Sequence, residues 1–245
     1  MNDNTIKRLD GRLALITGAS RGIGRAIAKR YAQEGAHVVL LAKTEGALEE
    51  VDDEIFDATG QHATLVPLDL TDFSGIDNLG AEIFKRHGKL DILVGNAGVL
   101  GTLTPLGHMK PDIWQNVMDI NLTANWRLVR SMDPLLRQSD AGRAIFVTST
   151  VGSLPRAYWG AYSISKAGLE MMTRIYAEEI SKTSVRANLI NPGATRTAMR
   201  AQAMPGENPE SVKSPEDLSE TFVRMAEPAW TKNGVIVDDC GNVTG

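Results

Sequence analysis

The stretch Leu13-Ala14-Leu15-Ile16-Thr17-Gly18-Ala19-Ser20-Arg21-Gly22-Ile23-Gly24 decides how this chain is read. An apolar run passes directly into three glycines within seven positions, and helical spacing follows over 22–33. That is the form of a strand turning sharply into a helix. The order G-x-x-x-G-x-G differs from the G-x-G-x-x-G dinucleotide fingerprint, but the physics is shared. Glycines permit a tight turn and close backbone approach, and the helix N-terminus offers free N–H groups and partial positive charge to a pyrophosphate. The plainer alternative is an ordinary glycine-rich turn. The density of glycines between the first strand and the first helix argues against it.

The same alternation continues outward from this turn. Strands are expected over 13–17, 38–42, 63–67, 90–94, 143–148, 185–191 and 235–237, most of them nearly continuous in apolar residues, as strands buried on both faces are. Helical spacing occupies 22–33, 47–58, 112–137, 162–181 and 215–225. This βαβα order predicts an α/β fold with a parallel sheet and helices on both faces, in a single domain over 1–245. There is no internal repeat, low-complexity tract or linker. The segment 198–215, with Pro205, Gly206 and Pro209, reads as a long loop. Because it follows a strand end, where α/β folds bind ligands, it is expected to be a substrate lid; the alternative is a plain surface connection.

Composition limits the function classes. The chain has 245 residues, 42% of them hydrophobic and 23% charged, with a net charge of -4. The acidic balance and the lack of a basic run argue against nucleic-acid and membrane-surface partners. No apolar stretch approaches the roughly 20 residues of a membrane span. The start, Met1-Asn2-Asp3-Asn4-Thr5, lacks the apolar core of a signal peptide. Cys240 is the single cysteine, which excludes an intrachain disulfide and a cysteine metal cluster. His37, His62, His87 and His108 show no ligand spacing, so no metal is implied. Together these features point to a cytoplasmic protein.

The glycine turn raises the question of which dinucleotide it would hold. A carboxylate ending the second strand would bind the adenosine ribose of NAD. Here the strand ends Leu40-Leu41-Ala42-Lys43-Thr44, with no acid before Glu45. Lys43, and Arg21 from within the turn, are placed to meet a 2′-phosphate, so NADP(H) is expected over NAD(H); otherwise both are solvated charges. Asp69, beside Leu70, follows the third strand and would accept from the adenine amino group. Asn96-Ala97-Gly98 follows the fourth, where a turn of small residues can approach the adenosine half. Either feature could also be turn chemistry alone.

A second constellation concerns proton transfer. Tyr162 and Lys166 are four apart, which on a helix puts them on one face, about 6 Å apart along the axis. Ser149 ends the apolar run Ala144-Ile145-Phe146-Val147-Thr148. A lysine ammonium about 5 Å from a phenol, at an effective dielectric near 20, stabilises the phenolate by roughly 3 kcal/mol. That predicts a phenol pKa depressed by about two units. Tyr162 would then exchange a proton with a carbonyl or alcohol oxygen, Ser149 would hold that oxygen, and Lys166 would also clamp a ribose. Tyr158 lacks a lysine four residues on. Ser153, Ser163 and Ser165 are alternative hydroxyls, but Ser149 ends a strand on the ligand-binding edge. A surface pair would explain Tyr162 and Lys166 taken alone; the glycine turn and the strand-end serine make the combination specific.

These motifs, with Asn191-Pro192-Gly193-x-x-x-Thr197, resemble the short-chain dehydrogenase/reductase family along the whole chain. The stretch Asn191-Pro192-Gly193-Ala194-Thr195-Arg196-Thr197-Ala198-Met199-Arg200 is similar to the branch of YciK-type bacterial oxidoreductases. The resemblance implies a Rossmann-type doubly wound parallel sheet of about seven strands. It also implies reversible, NADP(H)-dependent interconversion of a carbonyl and a secondary alcohol. It adds Asn121 as a fourth catalytic residue that holds a water, and it sets Pro192, Gly193, Thr195 and Thr197 beside the nicotinamide. Gly95 and the run Val237-Asp238-Asp239-Cys240-Gly241 depart from the family pattern. Pairing of two long helices into a homodimer or homotetramer is implied, with Trp114, Trp126, Met171 and Met172 as candidates for the contact or for the core. A non-catalytic NADP(H)-binding regulator, an isomerase or epimerase, and a 3-oxoacyl thioester reductase are the rival readings. Arg196 and Arg200 would meet an anionic substrate or else pair with Glu207 or Glu216.

Overall fold

A computed structural model describes residues 7–244; the polar stretch 1–5 lies outside them. The seven strands are β1 (Leu13–Thr17), β2 (His37–Ala42), β3 (Thr64–Pro67), β4 (Ile92–Gly95), β5 (Arg143–Val147), β6 (Arg186–Ile190) and β7 (Ile236–Val237). They form one parallel sheet in the order β3-β2-β1-β4-β5-β6-β7. The strand order reverses direction between β1 and β4, and the crevice at such a switch point, at the C-terminal strand ends, is where open α/β sheets bind ligands.

Side-chain alternation divides each central strand between two cores. Ala14 and Ile16 of β1 and Val38 and Leu40 of β2 join one cluster with Ile27, Leu48 and Phe222. Leu13, Leu15, Val39 and Leu41 face the other, with Ile76, Leu128 and Leu169. Burial on both faces explains why these strands read as continuous apolar runs. The first face is covered by α1 (Gly22–Gln33), α2 (Glu45–Thr59) and α9 (Ser219–Ala226). The second is covered by α3 (Phe73–His87), α5 (Ala124–Leu136) and α7 (Gly160–Glu179). Among the described residues, no helix is long and apolar enough to cross a membrane.

Several expected elements are redrawn. The helix expected over 112–137 is three pieces: α4 (Pro111–Met118), a π-turn (Asp119–Thr123) and α5. The loop expected over 198–215 contains a helix, α8 (Ala198–Ala203), and a 3-10 turn (Pro209–Ser211). Thr197 caps α8 by accepting from Arg200 N at 3.2 Å, which lets a helix form where proline and glycine content suggested none. The helix expected over 215–225 begins as a 3-10 turn (Pro215–Leu218) with a capping box from Ser214 and Asp217. The unusual C-terminal run is well tied. Asp238 accepts from Cys240 N and Asn242 N, Thr221 donates to the Asp239 carbonyl, and Asp239 is ion-paired with Lys213.

Candidate active site

The glycine turn connects β1 to α1 at the switch point. Gly18 adopts φ +64°, and a Cβ on Gly24 would lie 2.2 Å from the Gly18 carbonyl oxygen. Only glycine is compatible with either position. Arg21 caps α1 without a side-chain hydrogen bond, so the first-turn N–H groups of Gly22, Ile23 and Gly24 are left for a ligand. Ala19 N donates to Leu41 O at 3.2 Å, fixing Ala19 and Ser20 over β2. Asn96 is part of the same construction. Its Nδ2 donates to Thr17 O at 2.9 Å, and the Thr17 hydroxyl accepts from Asn96 N and Ala97 N. The turn after β4 is thereby tied to the glycine turn.

At the far end of this groove, Lys43 and Asp69, read separately from the sequence, meet each other. Lys43 Nζ is 2.7 Å from Asp69 Oδ2. The contact raises the lysine pKa and lowers that of the carboxylate. The Lys43 side chain is 77% exposed. Asp69 also accepts from Thr71 N at 3.0 Å, and Leu70 beside it is buried. Arg21 is exposed.

On the other side of the switch point, β5 ends at Val147 and Ser149 opens the short helix α6 (Thr150–Ser153). Tyr162 and Lys166 stand on the first two turns of α7, both buried. Lys166 Nζ lies 5.7 Å from the centre of the Tyr162 ring and donates to Val147 O at 2.7 Å. Burial pushes the phenol up to about 12, with the Ser149 hydroxyl pulling the other way. Burial also brings Lys166 down to about 8, against the opposing field of Glu170. The expected lysine-driven depression of the phenol is therefore corrected. The ammonium is directed at the strand-end carbonyl, and burial sets the direction for each group.

Asn121 sits in the π-turn, fully buried. Its Oδ1 accepts from Val99 N at 2.8 Å, and its Nδ2 donates to Val99 O at 2.9 Å and to Ser165 Oγ at 3.0 Å. The residue thus pins the segment after Gly98 to the helix that carries Tyr162. Gly98 is close to both partners: a Cβ there would be 3.3 Å from Asn121 Oδ1 and 3.6 Å from Lys166 Nζ. Ser165, an alternative hydroxyl in the sequence, instead serves Asn121, while Val147 O and Glu170 are absent from the sequence expectations. Glu170 follows Lys166 by four, a helical signal that was there to be used.

After β6, Thr195 is buried and donates to Pro192 O at 3.1 Å, while Gly193 takes φ +61°. Thr197 packs against the glycine turn: a Cβ on Gly22 would be 3.4 Å from its methyl. Above Tyr162, Leu100, Leu103, Val151, Trp159, Met199 and Ala203 form an apolar wall. The two arginines of this stretch are paired, Arg200 with Glu207 at 2.5 Å and Arg196 with Glu210 at 2.6 Å. Glu207 was anticipated as a partner; Glu210, not Glu216, is the other. The decoy Tyr158 is exposed at the rim in the left-handed region, φ 74°, its carbonyl accepting from Thr104 N.

A profile of the short chain dehydrogenase family matches residues 12–208. The oxidoreductase YciK of Escherichia coli K12 is 40% identical over 94% of this chain and 92% of its own length. The 3-oxoacyl-[acyl-carrier-protein] reductase FabG of Vibrio harveyi is 32% identical over 90% of this chain and 91% of its own. Among solved structures, a short chain dehydrogenase from Shigella flexneri 2a complexed with NADP superposes with a TM-score of 0.93. It is 39% identical, with 96% of this chain and 99% of that one covered.

Proposed function

The chain belongs to the short-chain dehydrogenase family, enzymes acting on CH–OH and C=O groups, and within it to the YciK type; from that we propose that it is an NADP(H)-dependent oxidoreductase interconverting a carbonyl and a secondary alcohol, with Tyr162 as general acid/base. One observation carries the proposal. A buried phenol, with the Ser149 hydroxyl in reach and a buried lysine behind it, stands at the strand ends that flank the glycine turn.

The cradle fits a dinucleotide. Gly18, Ser20, Arg21, Gly22, Ile23 and Gly24 would hold the pyrophosphate, and Lys43 with Arg21 a 2′-phosphate. Asp69 and Leu70 would hold the adenine, and Asn96, Ala97 and Gly98 the adenosine side. Pro192, Gly193, Thr195 and Thr197, with Tyr162 and Lys166, would hold the nicotinamide half. When bound, the cofactor supplies or accepts the hydride. The preference for NADP(H) rests on the two cations and on the missing acid after β2. The NADP complex of the Shigella relative supports the same choice.

This chain's residues supply the proton. In reduction, the carbonyl oxygen gains negative charge, and an alkoxide is a far stronger base than a phenolate. A tyrosine kept protonated by burial is therefore in the right state to donate. Ser149 donates to the same oxygen and fixes its position. In oxidation Tyr162 must first lose its proton, which burial opposes and Lys166 assists. The protonated phenol is thus the form that reduction uses. Asn121 holds the backbone after Gly98 against the same helix, and the water that family resemblance assigns to it belongs to this proposal.

The apolar wall and the paired lid arginines favour a neutral, apolar carbonyl compound, with 198–215 covering it. A 3-oxoacyl thioester is the second reading, favoured by the Vibrio harveyi relative and by a wall suited to an acyl chain. A homodimer or homotetramer built on α5 and α7 is part of the proposal, supported by exposed Trp126, Ile164, Met171 and Ile175. Trp114 and Met172 are half-buried and contribute less. A cytoplasmic setting completes it. The test is NADPH consumption across ketones, quinones, sugars and 3-oxoacyl thioesters. Saturable turnover of one class supports the enzyme. Tight NADPH binding with no turnover of any class would favour the non-catalytic regulator.

A further inference from the structure

Glu170 is a buried carboxylate that the proton-transfer chemistry does not use. It lies one turn after Lys166 on α7, with 6% exposure. A carboxylate in such surroundings is costly unless donors and an opposite charge satisfy it. Thr148 Oγ1 donates to its Oε1 at 2.6 Å, and Ser153 Oγ donates to its Oε2 at 2.9 Å. These two residues bracket Ser149: one immediately precedes it and the other ends α6. The packing is fitted to the carboxylate, because a Cβ on Gly152 would lie 2.5 Å from Oε1 and 2.9 Å from Thr148 Oγ1.

We propose that Glu170 is a positioning residue: its carboxylate clamps both ends of segment 148–153, fixing Ser149 beside the phenol, and supplies the counter-charge that keeps Lys166 an ammonium. The inference rests on the reading of Ser149, Tyr162 and Lys166 as the proton-transfer group. Lys166 is faced by Tyr162 and Glu170 from its own helix and by the Val147 carbonyl from β5. Across the crevice, a Cβ on Gly98 would lie 3.6 Å from Lys166 Nζ and 3.3 Å from the uncharged Asn121 side chain. Among the described residues Glu170 is the anion that acts on Lys166, and its field raises the lysine pKa against burial.

The test uses the full chain with NADPH, phenanthrenequinone as an apolar carbonyl probe, and a 15N-lysine NMR titration of Lys166. In Glu170→Gln, Lys166 is expected to titrate about one pH unit lower, as expected for loss of a charge one helical turn away in a partly desolvated site. The alkaline limb of the rate profile should move the same way. kcat should fall about tenfold with the KM for NADPH unchanged, because transition-state positioning rather than cofactor binding is lost. Glu170→Asp should restore the pH limb. If Glu170→Gln does not fold, the double variant Thr148→Val with Ser153→Ala tests the clamp and should lose kcat alone. An unshifted Lys166 titration together with wild-type kcat in Glu170→Gln overturns the proposal, as does wild-type kcat in the double variant. Tyr162→Phe is run beside them. If it alone keeps normal turnover, the proton-transfer reading falls, while the NMR titration still decides the role of Glu170.

Discussion

At the scale of single residues, burial sets the state of the site. Lys166 titrates at about 8 in the folded chain and near the ordinary lysine value when unfolded. Between those values the unfolded chain binds more protons, so this group makes stability rise with pH from about 8 to about 10. Tyr162, raised to about 12, acts oppositely only above about 10, where an unfolded tyrosine loses its proton. Urea unfolding followed over that range should show a steeper rise for the wild type than for Lys166→Met. Equal slopes would mean that Lys166 titrates normally. Lys43, under the proposed function, would meet the 2′-phosphate of the cofactor. Lys43→Ala should raise the KM for NADPH roughly tenfold, about the value of one charge-assisted contact, and leave NADH untouched. Equal effects on both cofactors would remove Lys43 from the 2′-phosphate.

At the scale of elements, the break in the helix expected over 112–137 is the instructive departure. Periodicity from Asp112 to Arg137 is continuous, so the sequence reads as one helix. The π-turn rotates Asn121 onto Val99, and Asn125 Nδ2 takes up the Asn121 carbonyl at 2.9 Å. Such bulges recur at functional sites and have no propensity signal of their own. Asn121→Ala should leave the Val99 N–H and C=O without partners and cost about 1–3 kcal/mol for each group left buried. Denaturant unfolding with an unchanged midpoint would deny Asn121 this structural role. In contrast, α3 was legible but not read. Asp72 caps it by accepting from Gly75 N, Gly88 ends it at φ 72°, and Ile76, Leu79 and Ile83 give it a buried stripe.

At the scale of the whole molecule, the sheet and the glycine turn were legible because two-sided burial and tight turns constrain residue type locally. The site was legible only as a set of positions. Ser149, Tyr162 and Lys166 could be nominated because strand end and helical spacing are one-dimensional signals. The clamp from Thr148 to Glu170 spans 22 positions, and the Lys43 pair with Asp69 joins two strand ends, so both needed the fold. Assembly belongs to this scale too. Met171→Glu with Ile175→Glu should convert a dimer or tetramer to monomer in light scattering, since both side chains are more than half exposed on α7. A wild-type chain that is monomeric at working concentration would contradict that surface.

The central claim is that Tyr162 moves the proton. It is tested most directly by the turnover of NADPH and the carbonyl found by the substrate panel, in wild type and in Tyr162→Phe. The account predicts a kcat lower by about 10²- to 10⁴-fold, the range of a lost general acid, with NADPH binding retained. Turnover within twofold or so of wild type would contradict it.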